Sequence, residues 1–226
     1  MNNLFRGTAI LTSGSMISRI IGILYVIPFY AIIGGERNSA LYQYGYVPYT
    51  IFLSIGTAGI PLAISKHISF YNSLSQPKNS EKLFKSGLLI MIISGILSFG
   101  CMYLFAPLFG SLQSTQGVFS ATQISTVIRS TSFALLIIPT ISLFRGYFQG
   151  NYDMTPSSMS QIIEQISRVV FLLCSTFLAL HVFNTDITIA ISLATFSAFI
   201  GALFSLIYLI IRFNKSKKKG NLSLQR

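Results

Sequence analysis

Three arginines lie inside stretches of sequence that are otherwise apolar enough to cross a bilayer: Arg19, Arg129 and Arg168. Placing a charged side chain at the centre of a bilayer costs from about 2.5 to well above 10 kcal/mol, so such residues normally face a bundle interior or a watery cavity. A guanidinium group is always charged and can hold the oxygen atoms of a phosphate in a two-pronged fork. Coming from three different spans, these arginines are candidate residues for binding an anion in one cavity.

Arg19 shares a helical face with small polar residues. Thr8, Thr12, Ser15, Arg19 and Gly22 recur at intervals of three or four residues, which places them on one side of a helix. The opposite side is formed by isoleucine and leucine. We therefore expect Thr12, Ser15 and Arg19 to line the cavity side of the first helix.

The fifth apolar stretch also has a polar face, formed by Ser157, Gln161, Glu164 and Arg168 at the same helical spacing. Gln161 is a further candidate binding residue. Glu164 lies one turn before Arg168 and can neutralise it. Binding of a coupling proton or sodium ion by Glu164 is the less simple interpretation.

Arg129, in the fourth span, lies nearer the end of that span, so its side chain can extend to the membrane interface instead of a cavity. Structural neutralisation is thus the alternative to anion binding for each arginine.

The composition shows what kind of protein must position these residues. Of the 226 residues, 52% are hydrophobic and only 9% are charged, and the mean hydropathy is +0.66. A soluble domain needs more polar surface than this, so the chain is predicted to be an all-α integral membrane protein. Residues 1–211 are predicted to form one domain of six transmembrane helices, at about residues 7–33, 42–68, 86–109, 121–144, 156–180 and 187–211. A basic tail follows at residues 212–226. Residues 72–85 are predicted to form a loop, residues 110–120 a linker and residues 145–155 a turn. In the sixth span a face of small residues suited to close helix packing is formed by Ala190, Ala194, Ala198 and Ala202.

The distribution of basic residues predicts the orientation. Of the 16 Lys and Arg residues, three lie within spans, Arg37 lies on the far side, and the other 12 lie on the side of the N-terminus. Because basic loops stay in the cytoplasm, both termini are expected there. The net charge of +11 is concentrated at helix ends, which favours contact with anionic membrane lipids over nucleic acid.

The second span contains a predicted irregularity. Pro61 removes a backbone donor, and Gly56 and Gly59 loosen the helix just before it, so a kink or partial break is expected. These three residues are a candidate hinge, with ordinary helix packing as the alternative. Four tyrosines at the start of the span, between Tyr42 and Tyr49, are predicted to form an interfacial belt.

No enzymatic centre is expected. The chain has five acidic residues and two histidines, which occur in no Ser-His-Asp order and in no metal-ligand cluster. A glycine-rich nucleotide loop is also missing from the sequence. We predict no catalytic residue, no metal and no cofactor.

Several short motifs follow one another in an order that is typical of one family. The clearest lead into the fifth span: Arg145-Gly-Tyr-Phe-Gln-Gly150, Met154-Thr-Pro156 and Glu164-Gln-Ile-Ser-Arg-Val169. Earlier motifs are Arg6-Gly-Thr8, Ser18-Arg-Ile-Ile-Gly22, Ala40-Leu-Tyr-Gln-Tyr-Gly-Tyr46 and Gly59-Ile-Pro-Leu-Ala-Ile-Ser-Lys66. With these motifs the chain resembles the polysaccharide flippases of Gram-positive bacteria, a group within the MATE-like MOP superfamily that includes proteins of the MurJ and stage V sporulation protein B types.

The resemblance implies a transporter of the bacterial cytoplasmic membrane, built from two lobes of six helices each. It implies alternating access that carries an undecaprenyl-diphosphate-linked cell-wall precursor, either lipid II or a polysaccharide repeat unit, from the inner to the outer leaflet. The three arginines would then contact the diphosphate. This chain has about half the family length and resembles the N-terminal lobe, so a second lobe in the same protein or a second copy is an expected partner.

Two other functions are open from the sequence. A truncated lobe that does not transport, or a membrane scaffold, agrees with the length. A multidrug exporter shares the broad fold, but cationic drugs favour a cavity lined with carboxylates. Three arginines against a single intramembrane glutamate, Glu164, fit an anionic substrate better.

Overall fold

The structure, a computed structural model, describes the backbone of residues 2–74, 76–114 and 119–223 and the side chains of residues 5–74, 76, 78–114 and 119–216. Within these residues the chain is helical and contains no strand. The α-helices are α1 (Asn2–Leu24), α2 (Val26–Ile33), α3 (Glu36–Gly56), α4 (Ile60–Ser73), α5 (Pro77–Ser114), α6 (Ala121–Ser132), α7 (Ile138–Gly150), α8 (Met154–Phe177) and α9 (Ile187–Ser223).

Six helical segments of the described chain are long and apolar enough to cross a membrane. They are Phe5–Ile33, Glu36–Ser73, Lys78–Ser114, Ala121–Gly150, Met154–Val182 and Ile187–Ser216. The predicted class, an all-α membrane protein with six spans, is confirmed.

Several spans are interrupted helices. The second span breaks between α3 and α4, where Gly59 has a φ of 68°, a left-handed conformation that glycine adopts without steric cost. Pro61 lies in the first turn of α4, where its missing N–H leaves no hydrogen bond unmade. The fourth span passes from α6 through a 3₁₀ turn, Phe133–Leu136, into α7. The break predicted at Gly56 to Pro61 is therefore present, while its role as a hinge stays a prediction.

Three segments predicted as loops or tail are partly helical. Helix α5 begins at Pro77, and its polar first turns carry an ion pair between Glu81 and Lys85, 3.3 Å apart, that supports helix beyond the apolar span. Helix α7 continues to Gly150, so the predicted turn at residues 145–155 shortens to three residues. Helix α9 extends through most of the predicted basic tail; residues 224–226 of that tail and residues 115–118 of the predicted linker lie outside the described residues.

Among the described residues, α8 and α9 share the most extensive contact of any two helices. The predicted alanine face of α9 is buried, with exposed fractions between 0% and 4% at Ala190, Ala194, Ala198 and Ala202. At Gly201 the two backbones approach so closely that a Cβ atom would lie 2.6 Å from the Glu164 carbonyl oxygen. Helix α1, in contrast, packs mainly along α8 and leaves most of its surface uncovered.

We expect Gly201→Ala to destabilise the bundle by about 1 to 3 kcal/mol, because the added methyl group meets backbone atoms that cannot yield without moving α8. Thermal unfolding in detergent would measure the effect. The control is Gly100→Ala, since nothing described lies within 4 Å of a Cβ at Gly100. Equal stability of the two variants would contradict the close α8–α9 contact.

Candidate binding site

A charged cluster joins α7, α8 and α9. The Arg145 Nη2 atom of α7 donates to Glu164 Oε2 of α8 at 2.7 Å, and to Ser205 Oγ of α9 at 3.2 Å. Arg145 Nε donates to Ser160 Oγ at 2.8 Å. The side chains of Arg145 and Glu164 are 19% and 24% exposed, so this pair is largely removed from solvent. Three helices are thereby held together by one neutralised charge pair.

This cluster corrects two predictions. Arg145 was expected in a turn at the membrane surface, but it lies inside α7 because the helix continues to Gly150. Glu164 was expected to neutralise Arg168 one turn away, but its carboxylate bonds to Arg145 instead. The reason is that Arg145 approaches Glu164 from a neighbouring helix in a charge-assisted hydrogen bond, while the Arg168 side chain is directed toward α3.

Arg168 lies against tyrosines of α3 rather than a carboxylate. Its Nη2 atom donates to Tyr42 Oη at 3.0 Å, and its guanidinium carbon lies 5.1 Å from the centre of the Tyr46 ring, a cation–π contact. The Nε atom is buried and has no hydrogen-bond partner among the described residues. Within the described chain, then, the charge of Arg168 is held by phenol oxygens and aromatic faces.

The tyrosine contacts also correct the predicted interfacial belt. Tyr42 and Tyr49 are only 8% and 4% exposed, and Tyr42 stacks on Tyr46 with ring centres 5.4 Å apart. Tyr25 of the first span lies 3.5 Å from Tyr42, measured between the hydroxyl oxygens. These rings form an internal cluster around the guanidinium of Arg168, to which they offer a phenol oxygen and an aromatic face.

Arg19 occupies a different environment, an open cavity of about 320 Å³ between α1, α7 and α8. The cavity is lined by the polar residues Thr12, Ser15, Arg19, Gln149 and Gln161, and by Leu11 and Met16. Arg19 is exposed, and no carboxylate of the described residues pairs with it. The predicted polar stripe of α1 and the predicted Gln161 therefore meet at one cavity whose fixed charge is positive.

The described structure does not bring the three intramembrane arginines into one cavity. Arg129 is exposed near the end of α6, and its guanidinium carbon lies 5.2 Å from the centre of the Tyr103 ring of α5. Helix α6 packs on α3, α5 and α9, whereas α1 packs on α8 and α2. Only Arg19 lines the cavity in this conformation.

Two residues of the site were missed by the sequence analysis. Gln149 lines the cavity and Arg145 neutralises Glu164, and both lie in the motif Arg145-Gly-Tyr-Phe-Gln-Gly150 that was predicted as a turn. The signal that could have found them is the helical spacing of Arg145 and Gln149, four residues apart. Among the described residues, no three histidine, cysteine or acidic side chains come together in a group suited to a metal.

The architecture matches that of a solved membrane-protein fold. The crystal structure of a MATE protein in its straight conformation matches 91% of this chain with a TM-score of 0.72 at 14% sequence identity. The matched part is 45% of that protein. This likeness establishes the fold, a MATE-like bundle that corresponds to less than half of the matched protein.

The sequence comparisons identify the family. Residues 4–226 match the family model described as "Polysaccharide biosynthesis protein", and the chain belongs to this family. Lipid II flippase MurJ of Bacillus subtilis is 45% identical over 98% of this chain and 41% of its own length. Stage V sporulation protein B of the same organism is 28% identical over 94% of this chain and 39% of its own length. The chain thus spans about two fifths of the length of these relatives and is a multi-pass bacterial membrane protein.

We expect Glu164→Gln to lower the free energy of unfolding by about 2 to 3 kcal/mol, because it leaves the Arg145 charge without its counter-ion in a partly buried position. Thermal unfolding of the purified chain would measure the loss. The matched control is Glu81→Gln, which breaks the exposed pair with Lys85 and should cost at most about 0.5 kcal/mol.

The double variant Arg145→Gln, Glu164→Gln separates the pair from its surroundings. It should recover part of the stability that Glu164→Gln loses, because no unpaired charge is left. The single variant Arg145→Gln completes the comparison. If the double variant loses as much unfolding free energy as the two single variants lose together, the two side chains act independently.

Proposed function

We propose that this chain forms one lobe of a flippase that moves an undecaprenyl-diphosphate-linked cell-wall precursor, lipid II or a polysaccharide repeat unit, from the inner to the outer leaflet. The observation that carries the proposal is Arg19, an exposed cation without a carboxylate partner in the described chain, near the middle of an apolar span and on the wall of a cavity. The polysaccharide family and its flippase relative support this substrate class.

The chemistry of the cavity suits a diphosphate headgroup. The guanidinium of Arg19 can bind two phosphate oxygens at once, and the hydroxyl and amide groups of Thr12, Ser15, Gln149 and Gln161 can replace part of the headgroup's hydration. A carboxylate-lined cavity would favour cationic drugs instead. No carboxylate is among the residues that line this cavity, which argues against a multidrug exporter.

In this proposal Arg19 makes the first contact with the diphosphate. Arg168 and Arg129 would meet the substrate only in other conformations, because Tyr42 and Tyr103 now hold them away from the cavity. Glu164 serves structural charge pairing with Arg145 rather than ion coupling. The break at Gly56 to Pro61 would act as a hinge for alternating access.

The orientation and partners follow from the same proposal. Both termini lie in the cytoplasm, as the concentration of basic residues on that side favours. With the cell interior negative, outward movement of each negative charge gains about 2.3 kcal/mol per 100 mV, so the potential alone favours export and neither nucleotide hydrolysis nor a cofactor is required. The uncovered side of α1 would face a second lobe of the same protein or a second copy of this chain, and membrane lipids would cover the rest.

We expect Arg19→Ala, introduced into the complete protein that contains this sequence, to abolish rescue of cells depleted of their lipid II flippase. Immunoblotting of membranes should show unchanged insertion, because Arg19 is exposed and its loss relieves a charge within the span. Arg19→Lys should rescue partially, since an ammonium group keeps the charge but not the two-pronged geometry.

The control is Arg37→Ala, which removes an exposed arginine from the first turn of α3, outside the cavity, and should rescue fully. Full rescue by Arg19→Ala would overturn the assignment of Arg19. Failure of the unmodified protein to rescue, despite normal insertion, would favour the alternative of a lobe or scaffold that does not transport.

A further inference from the structure

Two membrane spans of the described chain break at places that meet on a third, unbroken span. The α3–α4 break lies at residues 57–59, and the α6–α7 break comprises the 3₁₀ turn Phe133–Leu136 and Ile137. A break leaves backbone carbonyl groups without their usual donors, which is costly in a membrane unless another group satisfies them. At the α3–α4 break, the neighbouring helix α5 supplies that group.

Consecutive residues of α5 contact the two breaks. Ser94 Oγ donates a hydrogen bond of 2.8 Å to the carbonyl oxygen of Gly56, the last residue of α3. At Gly95 the backbone of α5 lies so close to the second break that a Cβ atom would be 2.9 Å from the Leu135 carbonyl oxygen and 3.2 Å from that of Leu136. One turn of α5 is therefore the common support of both breaks.

Helices α4 and α7 are closely joined. A Cβ atom at Gly146 would lie 2.6 Å from the Pro61 carbonyl oxygen, and one at Gly150 would lie 2.6 Å from that of Ser65. Two side-chain hydrogen bonds continue the contact: Ser69 to Tyr152 at 2.7 Å, and Asn72 to Asn151 at 2.9 Å. These contacts hold α4 and α7 together along their lengths.

The helices beyond the breaks form a separate pair. Gly45 of α3 faces Val127 and Thr131 of α6, where a Cβ atom would lie 2.7 Å from Val127 Cγ1. The buried apolar residues divide in the same way, with Leu41, Tyr49 and Val127 in one cluster and Ile64, Ile141 and Phe148 in another. Ile138, at the start of α7, packs against both clusters. The two apolar cores thus meet at the level of the breaks.

Helices α7 and α8 are joined by polar hydrogen bonds, which water molecules can replace. They include the Arg145 bonds to Ser160 and Glu164, and a hydrogen bond of 3.1 Å from Ser157 Oγ to the Arg145 carbonyl oxygen. Because the side chains of Arg145 and Glu164 retain exposed fractions of 19% and 24%, water can replace such bonds as the helices separate. Helix α7 packs more extensively on α4 than on α8, so a movement of α7 together with α4 exchanges these polar bonds.

We propose that α4 and α7 move as one rigid pair relative to α3 and α6, and that Ser94 and Gly95 of α5 are the pivot of this movement. Ser94 keeps the Gly56 carbonyl satisfied while the angle between α3 and α4 changes, and Gly95 lets the α6–α7 break turn against α5 without side-chain obstruction. The movement would serve the alternating access proposed above, and to that extent the inference rests on the proposed function. Ser94 and Gly95 are positioning residues and contact no substrate.

The test measures distances between spin labels in the complete chain, reconstituted in nanodiscs after Cys101→Ala and Cys174→Ala. The labels are placed at three exposed positions: Val47 of α3, Leu62 of α4 and Asp153 just after α7. The distance between labels 47 and 62 reports the position of α4 relative to α3, and the distance between labels 62 and 153 reports the position of α4 relative to α7. Gly95→Ala should shift the distance between labels 47 and 62 by about 2 Å, the scale of helix shifts in switching proteins. The distance between labels 62 and 153 should stay unchanged. Gly100→Ala, on the same helix but in open space, should alter neither distance.

A second variant keeps the test decisive if Gly95→Ala does not fold. Ser94→Ala adds no volume and removes only the hydroxyl, so it should broaden the distribution between labels 47 and 62; Ser94→Thr, which retains a hydroxyl, should restore it. Its matched control is Ser111→Ala, because Ser111 Oγ bonds only to Leu108 of its own helix among the described residues.

Two outcomes would overturn the pivot: an unchanged distance between labels 47 and 62 in the folded variants, or an equal change between labels 62 and 153. Neither readout depends on transport. If the unmodified protein fails to rescue flippase-depleted cells while the label distances behave as expected, the proposed function fails and the pivot stands. If the unmodified protein rescues these cells but the variants leave the label distances unchanged, the proposed function stands and the pivot fails.

Discussion

The structure depends on one constraint: inside an apolar bilayer, a polar group must be satisfied by the protein itself or lie beside water. The chain meets this constraint for its cations in different ways. Arg145 is neutralised by Glu164 in a largely buried pair, and Arg168 is held by the phenol oxygen of Tyr42 and the ring of Tyr46. Arg19 has neither arrangement among the described residues and lies on a cavity. This contrast with Arg145 and Arg168 is the reason why we propose Arg19 as the contact for an anionic headgroup.

The backbone obeys the same constraint. Where α3 ends, the carbonyl of Gly56 accepts a hydrogen bond from Ser94, so the break exposes less unsatisfied backbone than a bare helix end would. Breaks supported in this way can persist at membrane depth without unfolding the span. A conformational change can then concentrate at the breaks, since the helices on either side retain their internal hydrogen bonds.

Local patterns in the sequence predicted the features that depend on local chemistry. The apolar stretches gave six spans, the spacing of Thr12, Ser15 and Arg19 gave one face of α1, and Pro61 after Gly59 gave the break. The partner of Glu164 could not be found in this way, because an i−4 neighbour and a residue on another helix compete for the same carboxylate. Only the packing of α7 on α8 decides that competition. The helical position of Arg145 was missed for a related reason, since a charged residue after an apolar run was interpreted as the end of the span.

The cavity and the proposed pivot are connected through α7. Arg19 belongs to α1 and Gln161 to α8, whereas Gln149 belongs to α7, which would move with α4. A movement of the α4–α7 pair would then change the distance of Gln149 from Arg19 while leaving the α1–α8 wall in place. A ligand shifts a conformational equilibrium only by the difference in its affinity for the two states. A headgroup that contacts both Arg19 and Gln149 would bind one state better, so the same contacts that bind the diphosphate would also favour one position of the moving pair.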